Sequence, residues 1–138
     1  MIPRPHQALN DLAGRIGTRV LPELSDPFTM ADTGLISLLM SLLGQELEHG
    51  VANRMADGEA LKQLFAEAPG KAPGADARTA FIDSQPTSLI LTDVTAWLDQ
   101  GLTLLIALHA WAEESDDDLN RRIWSFLADH TERHKFDF

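Results

Sequence analysis

His130 and His134 stand four residues apart in the run HTERH. On a helix that spacing points both imidazoles the same way, and two imidazoles so placed can share a metal ion. With Ile123 taken as the centre of the preceding apolar stripe, the two rings fall about 20° to either side of it. Glu46 and His49 form an E-x-x-H step, the unit that di-iron carboxylate bundles repeat on two of their helices. Counting residues from the chain reversals brings Glu46, His134 and His6 to heights that agree within roughly one helical turn. The expected cluster is therefore Glu46, His49, His130 and His134, with His6 joining it at one end of a bundle. Imidazoles with a carboxylate suit Zn, Fe, Ni or Cu, and the absence of thiolates argues against a closed structural zinc site.

The spacing also limits that reading. Glu132 does not follow His130 directly, so the HExxH zinc-protease pattern is missing. A single E-x-x-H supplies half the ligands of a ferritin-type di-iron site. His109 and Glu113, also at i and i+4, form a separate pair near the Glu113–Asp118 acidic run. They read as an intrahelical hydrogen bond or, in the sharper version, as a general base with its orienting carboxylate. No Ser or Thr nucleophile is placed beside them by spacing. Phosphate-cradling glycine loops, G-x-S-x-G elbows and EF-hand spacing are absent, so the sequence names no reaction and a noncatalytic role is expected.

The elements that must position these residues are helical. Leu9, Leu12, Ala13, Ile16, Val20 and Leu24 recur at threes and fours, followed by the Ser25-Asp26-Pro27 break. A second helix starts near Asp26–Met30, with Asp26 or Thr29 as its cap, and carries the stripe Ile36, Leu39, Met40, Leu43, Leu47 and Val51. Asp57-Gly58 reads as a break before one short extra helix, Glu59 to Ala68. The stretch 69–86 is an irregular connection, either mobile or packed down as a cover, with Ala75–Ile82 able to hold a turn of helix. A third helix spans about 87–114, centred on Leu98, Leu102 and Leu105. Asp116–Asp118 open a fourth, with Leu119, Ile123, Phe126 and Leu127 inward. The expected fold is an all-α single domain over 1–138, an up-and-down four-helix bundle with that short extra helix.

Helices 2 and 3 of this reading carry a second apolar side, Leu35, Leu38 and Leu42 on one and Trp97, Leu104, Leu108 and Trp111 on the other. A helix apolar all round needs cover on both sides, so a homodimer through helices 2 and 3 is expected, with a further protein partner as another use of the face.

From LNDLAGRIGTRVLPELSDP through GEALKQLFAEA, roughly the first half of the chain, the sequence resembles small bacterial all-helical proteins of uncharacterised function. The likeness lies in helix rhythm, in the VLPEL-to-Pro break and in the apolar second helix that closes with ALKQLF. It implies an all-helical fold and transfers no catalytic residue.

Composition sets the remaining limits. The 138 residues hold 21 Asp and Glu against 11 Lys and Arg, for a net charge of -10, and no Cys. Such acidity argues against duplex nucleic acid and anionic lipid as partners. Without Cys there are no disulfides or thiolate sites, which fits a cytoplasmic protein. The apolar runs Leu35–Leu43 and Leu102–Trp111 are about half a membrane span, so no membrane is expected. The charge is uneven. Residues 20–53 carry five acids and no base, residues 79–120 eight acids and no base, and the rest is net positive. The basic pole coincides with the histidine cluster, where a small anion is as apt a ligand as a metal.

Overall fold

Pro5 and Pro27 each stand at the start of a helix, where the N–H that proline lacks has no intrahelical partner to lose. The computed structural model describes residues 4–138. Its elements are α1 (Pro5–Arg15), α2 (Pro27–Glu67), α3 (Ala75–Ile82), α4 (Leu91–Ser115) and α5 (Asp117–Arg133). A π-helical turn, Ile16–Val20, and a 3-10 turn, Leu21–Glu23, lead from α1 toward α2. Among the described residues there is no strand, and the protein is all-α. The chain divides into two compact units, residues up to Gly50 with Phe136–Phe138, and Val51–Lys135, with the boundary falling inside α2.

In the first unit, Asp26 caps α2. The Thr29 amide donates to its Oδ2 at 2.8 Å, and the Thr29 hydroxyl donates to the same oxygen at 2.7 Å. These two donors hold the Asp26 carboxyl below its ordinary value. Helices α1 and α2 then meet through small residues. The Ser37 hydroxyl donates to the Ala13 carbonyl at 2.8 Å, and a Cβ on Gly44 would sit 2.7 Å from Asn10 Oδ1 and 3.2 Å from the His6 carbonyl. The helices therefore run antiparallel, His6 opposite Gly44 and Ala13 opposite Ser37. Near the chain's far end, Asp137 pairs with Gln45 in both directions, N–H to Oε1 at 2.9 Å and carbonyl to Nε2 at 2.8 Å.

That small-residue contact leaves the expected stripe of the second helix outside. Ile36, Leu39, Leu43 and Leu47 are each about half exposed, because Ser37, Gly44 and Ala13 occupy the seam instead. Close approach of two backbones through Gly, Ala and Ser explains why the larger side chains point elsewhere. Gly17, in the π-helical turn, faces Ser37 at 3.8 Å from its would-be Cβ, whereas Gly14 of α1 meets nothing within 4 Å.

In the second unit, Leu61, Leu64 and Phe65 of α2 pack with Trp97, Leu98, Leu105 and Leu108 of α4 and with Leu119, Ile123 and Phe126 of α5. The expected break at Asp57-Gly58 is absent: α2 runs without interruption to Glu67, and no separate helix covers 59–68. Gly58 is where α2 touches the Trp97 indole, which a side chain there would strike. Its intrinsic cost of about 1 kcal/mol in a helix is offset by this packing.

The short extra helix is instead α3, inside the 69–86 stretch, which is packed down as a cover. Phe81 stacks on Trp97 with ring centroids 5.3 Å apart and meets Phe65 edge-on at 5.7 Å. Trp97 Nε1 donates to Ser84 Oγ at 2.8 Å. Arg78, buried, donates through Nη2 to the carbonyls of Pro69 at 3.1 Å and Ala72 at 3.4 Å, and burial lowers its pKa. Of the two covers open to the Trp97 side, the 69–86 stretch or a second subunit, it is the 69–86 stretch that buries Trp97, and Leu108 is buried within the same unit.

The buried stripe of α4 is turned from the expected one. Val94, Trp97, Leu98, Leu105, Leu108 and Ala112 all lie within about 60° of Gly101, while Leu102 stands roughly 100° away and is half-buried. Gly101 marks the centre because the Phe81 ring and Leu61 come within 2.5 and 2.9 Å of where its Cβ would be. Helix α5 starts as expected: Asp116 Oδ1 accepts the Leu119 amide at 3.0 Å.

Candidate functional site

The most concentrated chemistry in the second unit lies where the last turns of α5 face the middle of α2. Asp57 recurs with Leu61, Leu64 and Phe65 at helical spacing, so an uninterrupted α2 turns it inward, and it is fully buried. His130 and His134 come from the C-terminal end of α5, on the same stripe as Ile123 and Phe126. A buried carboxylate needs hydrogen bonds and countercharge, and α5 supplies both. His130 Nδ1 lies 2.7 Å and His134 Nε2 2.6 Å from the same oxygen, Asp57 Oδ2. Arg133 Nη1 bonds the other oxygen, Oδ1. The two imidazole centroids are 4.6 Å apart, and Phe126 stacks on His130 at 6.0 Å.

Backbone groups are accounted for as well. The carbonyl of Arg133, one of the last-turn acceptors that a helix leaves unpaired, receives a 2.8 Å bond from Asn53 Nδ2. Asp57 is sealed from water, whereas the His130 and His134 side chains keep 30% and 23% of their surface. The cluster is thus closed on the α2 side and open along the rings. A groove of about 220 Å³ between α2 and α5 is lined by Gln63, Glu67, Arg122, Asp129 and Arg133 among others.

Of the residues expected to form the site, His130 and His134 come together as their spacing requires. Their carboxylate partner is Asp57, which a helix break at Asp57-Gly58 takes out of register with Leu61 and so hides from the sequence. Glu46, His49 and His6 belong to the first unit. There His6 Nε2 pairs with Glu48, two residues from Glu46, at 3.0 Å. His49 is exposed and Glu46 half-buried.

The His109 and Glu113 pair has a different geometry from the one expected. His109 Nε2 sits 3.1 Å from Asn120 Oδ1 and 3.8 Å from Glu113 Oε1, so the hydrogen bond goes to α5. The Trp124 ring meets the imidazole edge-on at 5.3 Å. Glu113 is exposed, and the acids after it serve as a cap and as partners for Arg121 and Arg122.

Compared with protein-family models, with curated proteins and with solved structures, the chain matches none.

Proposed function

We propose that the protein is a noncatalytic, cytoplasmic accessory protein that self-associates as a homodimer through the outward faces of α1 and the first half of α2. The observation that carries this reading is the exposure of Phe28, Leu35, Ile36, Leu39, Leu43 and Leu47, between 48% and 83% of each. Contiguous apolar surface on that scale marks an interaction site. A groove of about 620 Å³ floored by small residues, Gly14, Gly17, Gly34, Ser37 and Ser41, lies on the α1 side of α2, away from these leucines. An exposed leucine face of this kind suits two-fold pairing, in which each copy offers the same patch to the other. Two antiparallel α1–α2 pairs then complete an up-and-down four-helix bundle, the arrangement that sequence periodicity suggests for one chain. Helix α4 drops out of the interface, since Phe81 already covers its Trp97 side.

By length and composition α2 also passes as a membrane span. Its longest stretch without a charged residue, Thr33–Gln45, is 13 residues and holds Leu35, Ile36, Leu39 and Leu43. At ~1.5 Å per residue it extends roughly 20 Å, short of the ~30 Å hydrocarbon core. A second copy is therefore the favoured cover.

Size-exclusion chromatography with light scattering on the untagged chain tests the reading. A mass of two 15.2 kDa chains is expected, falling to one chain in the Leu39→Glu/Leu43→Glu variant with helical circular dichroism retained. A wild type that elutes as one chain at all concentrations overturns it.

A further inference from the structure

We propose that Asp57, His130 and His134 form a mononuclear site for a divalent transition-metal ion of the Zn2+ or Fe2+ class, with Arg133 as the residue that positions its carboxylate. The ligand atoms are Oδ2 of Asp57, Nδ1 of His130 and Nε2 of His134, all within 4.8 Å of one another. Both imidazoles converge on one carboxylate oxygen, while Arg133 occupies the other. The division of labour is that of a monodentate metal ligand whose second oxygen is held by an outer-shell donor. Binding replaces two N–H···O contacts by three metal bonds. Each imidazole then carries its proton on the outward nitrogen, Nε2 of His130 and Nδ1 of His134.

The present spacings of 2.6 and 2.7 Å open by roughly 0.6 Å to reach the ~3.3 Å ligand separation around a tetrahedral ion with ~2.0–2.1 Å bonds. Rotation of two part-exposed rings at the end of α5 supplies that change while Asp57 stays fixed. Two imidazoles and a carboxylate make three protein ligands and leave at least one position for water or a small anion. The exposed edges of His130 and His134 put that position on the solvent side. Glu46 and His49 are not ligands in this assignment.

The test uses untagged full-length protein, stripped with chelator and titrated with Co2+ and Zn2+. One ion per chain is expected, with the strong visible bands of low-coordinate Co2+, and Zn2+ displacing it and raising the melting temperature. His130→Gln and His134→Gln keep an N–H for Asp57 but remove a good ligand. Each should weaken binding by more than the ~10–100-fold typical of an outer-shell loss, with circular dichroism unchanged. Glu46→Gln and His49→Gln should bind as the parent does. Less than ~0.2 ion per chain, where a mononuclear site of three protein ligands takes one, overturns the proposal. So does binding that survives both histidine substitutions, or that is lost with Glu46 or His49.

Discussion

Gly58 and Trp97 fill one another's space: the indole of α4 lies against the α2 backbone where a side chain at position 58 would project. Gly101 stands in the same relation to Phe81 and Leu61. Both glycines let three aromatic rings, Phe65, Phe81 and Trp97, gather between α2, α3 and α4.

Alanine at either position should lower stability although it favours the helix intrinsically. Overpacking of this kind costs about 1–3 kcal/mol, against about 1 kcal/mol regained from propensity. Gly34, inside α2 with nothing within 4 Å of its would-be Cβ, should respond in the opposite sense. Urea unfolding at one fixed protein concentration should place Gly101→Ala below the wild type and Gly34→Ala above it by about 0.4–1 kcal/mol.

Phe81 is the residue through which the 69–86 stretch is held down. Phe81→Ala should cost about 3–5 kcal/mol, the usual range for a buried aromatic ring. It should also shift Trp97 fluorescence to longer wavelength as water reaches the indole. A variant with unchanged stability would mean that α3 is not a structural cover.

Asp57, fully buried, is balanced by Arg133. Asp57→Ala should destabilise by about 2–3 kcal/mol, less than the ~3–5 kcal/mol for a fully buried partner, because Arg133 and the two histidines can turn toward solvent. The same substitution should leave α1 unaffected, since Asp57 belongs to the second unit. Hydrogen exchange resolved by residue distinguishes these effects.

The Asp26 cap gives α2 a pH dependence of known sign. Its folded pKa is depressed by the two Thr29 donors, so its contribution is fully present above the unfolded value near 3.8. The contribution is lost as pH falls through the lower folded value. Asp26→Asn keeps a capping oxygen but cannot titrate. The stability advantage of wild type over that variant should therefore shrink as pH is lowered from 5 to about 2, read from paired urea curves.

Much of the fold was legible because helices write themselves as periodic apolar residues. Asp116 as a cap, Ala75–Ile82 as a helical turn and the Ile123 stripe followed from residue type and spacing. Glycine was the blind spot. Gly58 reads as a break and Gly101 carries no signal, yet each is a point of closest packing, which hydrophobicity cannot register. The same error hid the site's carboxylate: reading α2 as broken at Asp57-Gly58 moved Asp57 out of any helical register with Leu61. His130 and His134 were visible since i, i+4 geometry is local to one helix. Their partner lies 73 residues from His130 and needed tertiary structure to be found.

The pairing of Gln45 with Asp137 joins residues 92 apart in the chain. During synthesis, Gln45 is made long before its partner, with residues 51–135 emerging between them. At about 5–20 residues per second those 85 residues take roughly 4–17 s. The antiparallel α1–α2 pair needs only local contacts to form and can stand ready within that interval. For the dimer proposed above, the leucine face would then be available for pairing before the second unit exists.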